Sequence, residues 1–258
     1  MEFTFDLINF EYFLLIMVRI ATFIFVAPFF GQQGVPNQAK IGFSGLLAIM
    51  VLYAVPPVEE TYFSALGFGI LVFREAITGL LIGYSAYLCN SIILFAGSTI
   101  DMDIGLSMAS QFDPTMNTQV TITGNLYQYF MLLFMIATNM HQFILRAVID
   151  SFTVIPLGGA RFEPDYLLTV MANYITNVFV IGFRIFLPVF ATILIMNVVL
   201  GIMAKVAPQM NMFSVGMQLK ILAGLFVLYL ALYLLPGVAD FIFVEMRKTL
   251  VSFLKGMY

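Results

Sequence analysis

The sequence predicts an all-α integral membrane protein of about six long, kinked or hairpin-forming helices, and three observations lead there. Hydrophobic residues make up 62% of the 258 and charged residues only 10%, against about 25% charged in soluble domains. Apolar runs of 15 to more than 30 residues follow one another along the chain, and a hydrocarbon core takes about 20 residues to cross. Between the runs stand Pro and Gly clusters, which end helices by removing donors and permitting positive φ.

The predicted helices run near residues 12–30, 41–55, 66–95, 126–155, 167–203 and 221–243. The first is read as a retained helix: Glu2, Asp6 and Glu11 precede any base, whereas a secretory leader needs a basic start. Gly31-Gln32-Gln33-Gly34-Val35-Pro36 separates the first two helices, and Pro56-Pro57-Val58-Glu59-Glu60 closes the second. The third carries Gly79 and Gly83 at the GxxxG spacing that lets helix backbones approach, a weak signal because Gly is common in membrane helices. Pro156-Leu157-Gly158-Gly159 and Ala207-Pro208-Gln209-Met210-Asn211 end the fourth and fifth. Runs three to five exceed a plain crossing. They are broken or hairpin-forming helices, or they pack in an assembly that rises out of the bilayer.

Orientation supports that reading. Alternate loops hold Arg161, Arg247, Lys248 and Lys255 on one side and Lys40, Lys205 and Lys220 on the other, a margin too small to orient six simple crossings. Arg19, Arg74, Glu75, Arg146, Asp150 and Arg184 lie inside apolar runs, where a lipid-facing charge costs about 2.5 to 3.5 kcal/mol. They need partners or water. Arg146 and Asp150 are four apart and can pair on one helix face. Asn173, Asn177 and Arg184 share a face ahead of Pro188, giving a kinked polar stripe suited to a subunit interface or a wet cavity.

Catalysis finds little material. The single His141 has no companions at metal-ligand spacing, the lone Cys89 cannot form an intrachain disulfide, and there is no Walker glycine loop. No metal, cofactor or catalytic residue is expected. The net charge of −3 forms no basic patch, which excludes nucleic acid as an expected partner. An intramembrane enzyme using His141 and Asp150, or a secondary transporter using Arg146, Asp150 and Arg184, are the rival classes; no inverted repeat supports the latter.

The segment 97–119 is the most informative. It is small, acidic and methionine-bearing, and no Lys or Arg occurs between Glu75 and His141. Asp101 and Asp103 read as solvated loop charges. Gly105 and Pro114 are the expected bends, and Met108, Phe112 and Met116 offer deformable apolar surface. Residues of this kind suit a soft seal, or simply cap the helices on either side.

Read in order, Glu75-Ala76-x-x-Gly79-Leu80-x-x-Gly83, Ala96-Gly97-x-x-Ile100-Asp101, Gly105-Leu106-Ser107, Asp113-Pro114, His141, Ser151-Phe152 and Pro156-Leu157-Gly158 resemble the FliR family of flagellar export-gate proteins and its SctT relatives in injectisomes. So does the block of Pro208, Gln209, Asn211, Phe213 and Lys220, whose wording from Val206 to Asn211 is closer to flagellar members. Met217-Gln218, where the family has Phe-Pro, departs from the pattern. The resemblance implies a non-enzymatic inner-membrane subunit of the flagellar basal body, with a FliP-like part over 1–160 and a FliQ-like helical hairpin over 161–258. Its implied partners are FliP and FliQ homologues, an FlhB homologue, membrane lipid and exported unfolded polypeptides. It implies that the buried charges face neighbouring subunits, and that 105–119, with Gly105, Leu106, Ser107, Met108, Phe112, Asp113, Pro114 and Met116, plugs a central pore.

Overall fold

A computed structural model describes residues 7–32, 34–54, 65–108, 121–209 and 211–258, and they are helical with no strand among them. Proline sets most of the boundaries. α1 (Leu7–Val26) stops ahead of Pro28, and α2 (Asn37–Ala54) follows Pro36, whose carbonyl accepts the amides of Ala39 and Lys40. α2 is followed in sequence by Val55-Pro56, which lies outside the described residues. α3 (Ala65–Ile104) runs unbroken for 40 residues.

The run predicted over 126–155 divides into α4 (Ile122–Ala137) and α5 (Met140–Val154), bent by 71° at Thr138-Asn139. Asn139 sits in the left-handed region at φ 57°, which an asparagine tolerates and which a continuing helix does not allow. α5 ends at Val154, with Ile155 extended ahead of Pro156. α6 (Pro164–Val206) begins on a proline, favoured at a first helical position, and continues through Pro188 for 43 residues.

The last predicted run starts earlier and ends later than its hydropathy indicates. The Asn211 side chain accepts the Ser214 amide and caps α7 (Met212–Ala231). A 3-10 turn at Leu232–Leu234 leads into α8 (Leu235–Lys255). Among the described residues, Ala65–Ile104, Pro164–Val206 and Ser214–Lys255 are long and apolar enough to cross a membrane. The bent pair of α4 and α5 is a fourth if it counts as one broken span. The protein is an all-α integral membrane protein, as its composition predicts.

Two compact units share these helices. Unit 1 comprises Met1–Leu88, Met135–Tyr174 and Val244–Tyr258; unit 2 comprises Cys89–Phe134 and Ile175–Phe243. In unit 1, Ile16, Ile20, Phe23 and Ile24 of α1 are buried with Ile82 and Ala86 of α3, Ile144 and Val148 of α5, and Met246 and Phe253 of α8. The GxxxG spacing has a concrete role there. A Cβ on Gly79 would strike the Arg19 carbonyl and the Thr22 hydroxyl, and one on Gly83 would come within 3.0 Å of the Phe23 carbonyl. Those two glycines let α3 lie directly on α1. Residues 161–163 are tied to the end of α8 by Arg161 N–H donating to the Met257 carbonyl and Glu163 N–H to that of Gly256, both at 3.0 Å.

Unit 2 is built around Ile92, Ile93, Ala96, Ile100 and Ile104 of α3, with Tyr127 and Met131 of α4, Val189 and Ile193 of α6, and Ile242 of α8. A Cβ on Gly97 would collide with the backbone of Gly124. This corrects the reading of 97–104 as the start of a soft gap: Gly97 is where α4 crosses α3, and the helix continues to Ile104.

Candidate functional site

Two constellations hold the polar residues singled out by sequence, one in each unit. In unit 1, Arg19 and Glu75 are fully buried and pair side-on through one guanidinium edge: Nε donates to Oε2 at 2.5 Å and Nη2 to Oε1 at 3.0 Å. Arg19 Nη1 reaches the Ile155 carbonyl at 3.0 Å and the Ser151 carbonyl at 3.3 Å, and the Phe152 ring lies 4.3 Å from the guanidinium carbon. Glu75 Oε1 also accepts the Gly158 amide at 2.8 Å, and Gly158 adopts φ 72° to present it. Arg74, exposed one residue away, donates to the Gly158 carbonyl at 3.3 Å.

The cluster therefore joins α1, α3, the end of α5 and the 155–158 turn. Such a bidentate, multiply hydrogen-bonded arrangement is what a charge pair needs to offset its desolvation. Arg19 and Glu75, expected at subunit contacts, find hydrogen-bonding partners inside the chain. Arg146 and Asp150, expected to pair, are both exposed, and no ion pair joins them among the described residues. With arginine on the N-terminal side, their i, i+4 order is the less favourable one. Arg184 is exposed on α6 beside the exposed Phe183 and Leu187, with Asn173 exposed and Asn177 half-buried on the same helix.

In unit 2 the end of α3 meets the start of α4. Asp101 is 3% exposed, which removes it from the class of solvated loop charges. Its carboxylate accepts the Thr123 amide at 3.2 Å and the Thr123 hydroxyl, capping α4 where the first amides lack helical acceptors. Gly105 then turns the chain at φ 95°, its amide still bonded to the Asp101 carbonyl at 3.1 Å, so the expected bend at Gly105 is present. Leu106 and Ser107 are half-buried and Met108 is exposed. Phe112, Asp113, Pro114 and Met116 lie outside the described residues.

Of the block around Asn211, Pro208 and Gln209 are exposed, Asn211 is the cap of α7, and Lys220 is half-buried on that helix; the Phe213 side chain lies outside what is described. His141 sits in the first turn of α5, its Nδ1 3.2 Å from the Met135 carbonyl and its ring 5.6 Å from that of Phe29. Among the described residues no group of His, Cys, Asp and Glu could hold a metal ion.

Sequence reasoning missed the Arg19–Glu75 pairing and the capping by Asp101. Both involve residues distant in the chain, and the signal available was only that each is a charge in an apolar run.

Long helices with buried polar staples and no cluster of reactive groups define a polytopic membrane protein whose described residues are organised for packing. The chain belongs to the bacterial export proteins, family 1, whose model matches residues 10–246, and within it to the FliR family. It is 34% identical over 219 residues to the flagellar biosynthetic protein FliR of Bacillus subtilis (strain 168), covering 82% of each chain. The same-named protein of Aquifex aeolicus (strain VF5) is 30% identical over 225 residues, 86% of this chain and 85% of its own. That of Escherichia coli (strain K12) is 22% identical over 241 residues, 93% and 92% of the two chains. The protein is thus a membrane component of the flagellar export apparatus and not an enzyme.

Proposed function

We propose that the chain is a core subunit of the flagellar export gate in the bacterial inner membrane, assembling with FliP and FliQ homologues, with an FlhB homologue nearby, into a helical pore that passes unfolded flagellar proteins. Residues 1–160 act as its FliP-like part and 161–258 as its FliQ-like hairpin. The observation that carries this is the exposure of charge on apolar helices, two of them overlong. α6 has 43 residues, about 65 Å at 1.5 Å per residue, roughly twice a hydrocarbon core of about 30 Å. Arg184 stands on it among exposed Phe and Leu side chains. Arg74, Arg146 and Asp150 are exposed on α3 and α5. Facing lipid, each would cost about 2.5 to 3.5 kcal/mol, whereas a neighbouring subunit or a wet lumen supplies partners.

Co-expression with tagged FliP and FliQ homologues, followed by purification in mild detergent, tests the assembly. A stable ternary complex is expected; recovery of this chain alone, with both partners well expressed, overturns it. In the same reading, 105–119 plugs the pore. Deleting these residues leaves the complex intact and makes the membrane leak ions and small solutes. An assembled deletion variant with parental leakage removes the plug from the proposal.

A further inference from the structure

We propose that Asp103 and Lys220 form a charge latch in unit 2, in which the Lys220 ammonium closes on Asp103 Oδ2 and holds the C-terminal end of α3 to α7. The packing of those two helices sets the residues opposite each other. Ile104 of α3 fills the space over Gly224 of α7, where a Cβ would lie 2.5 Å from its Cδ1, and a Cβ on Gly105 would come 4.0 Å from Met217 Cγ. Met217, Lys220 and Gly224 are three and four residues apart, so they share one face of α7, with Lys220 between the two contacts.

Asp103 supplies the need for a partner. Its Oδ2 is buried and has no hydrogen-bond partner among the described residues, an arrangement that costs a polar atom about 1 to 3 kcal/mol. Lys220, half-buried, lies on the face of α7 that meets this end of α3. No ion pair links the two as they stand among the described residues, where the salt bridges are Arg19 with Glu75 and Lys248 with Glu245. The flexible four-carbon stem of lysine can swing its ammonium without moving either helix. The latch thus has an open arrangement, with Oδ2 unsatisfied, and a closed one.

The neighbouring carboxylate does not compete for Lys220. Asp101 faces α4 and is occupied by Thr123. The two acids, two residues apart, divide the work: Asp101 holds the start of α4 and Asp103 the middle of α7.

Charge exchange tests the pair in flagellated cells that depend on this chain for motility. Asp103→Lys and Lys220→Asp should each abolish most swimming, and the doubly exchanged protein should regain most of it. Parental swimming in both single variants, or an exchange no better than the worse single, overturns the latch. Because a reversed charge can prevent folding, a neutral cycle in the purified full chain decides independently of export. Asp103→Asn and Lys220→Gln should each lower the thermal midpoint, and the double variant should fall by clearly less than the sum. Additive shifts overturn the latch and leave the export-gate reading untouched, while a cell defect in gate assembly would leave the midpoint cycle untouched.

Discussion

Replacing Arg19 with methionine is the sharpest test of what holds unit 1 together. The substitution keeps much of the side-chain volume and removes every donor, leaving the Glu75 carboxylate in a fully buried position with only the Gly158 amide. Breaking one side of a buried pair in this way costs about 3 to 5 kcal/mol. For a chain of 150 to 250 residues each kcal/mol moves the thermal midpoint by about 2 to 4 °C, so the expected loss is roughly 6 to 20 °C. The assay is thermal unfolding of the detergent-solubilised chain, followed by helical circular dichroism. Arg19→Met combined with Glu75→Met supplies the internal control. Removing the second charge relieves the unpaired carboxylate and leaves instead a buried Gly158 amide without its acceptor, a smaller penalty of about 1 to 3 kcal/mol. The double variant should therefore recover part of the loss. A single variant melting within about 2 °C of the parent, or a double variant falling by the sum of both singles, would refute the idea that the pair acts as a mutually compensating unit.

Two further predictions follow from the packing. Gly79→Ala and Gly97→Ala push a methyl group into the backbone of a neighbouring helix and should each cost about 1 to 3 kcal/mol, whereas Gly201→Ala meets nothing within 4 Å and should leave the midpoint unchanged or raise it. Equal behaviour of the three in a thermal melt would contradict the crossings. Asp101→Ala removes the α4 cap and should cost about 0.5 to 2 kcal/mol, while Asp101→Asn keeps an acceptor for Thr123 and should cost less. Hydrogen exchange at the Thr123 amide separates the outcomes, since faster exchange is expected in the alanine variant only.

The class of protein and most of the helix ends were legible because they depend on local chemistry. Low charge density and apolar runs define the membrane class, and Pro156 and Pro208 each stop a helix two residues upstream by steric exclusion. Gly79 and Gly83 were visible as a weak motif that packing against α1 turned into a crossing. What failed were inferences that treated neighbours in sequence as neighbours in space. Arg146 and Asp150 share a helix face and remain apart, while Arg19 bonds across 56 residues to Glu75 and across 136 to Ile155. The small residues from Gly97 onward read as flexibility, yet Ala96, Ile100 and Ile104 are buried at helical spacing, and Gly97 is small because Gly124 lies against it. Smallness in a membrane helix signals close contact as readily as freedom of movement.

The buried pair in unit 1 also sets a schedule for making the protein. At about 5 to 20 residues per second, Arg19 leaves the ribosome roughly 3 to 11 seconds before Glu75 and roughly 7 to 27 seconds before Ile155, given separations of 56 and 136 residues. Unit 1 closes only when Val244–Tyr258 arrives. For that interval the first helix carries an arginine without its native partners, and lodging it against lipid would cost about 2.5 to 3.5 kcal/mol. Contact with water or with the insertion machinery lowers that cost until α3 is delivered, so a pause in synthesis between α1 and α3 lengthens the time Arg19 spends without Glu75.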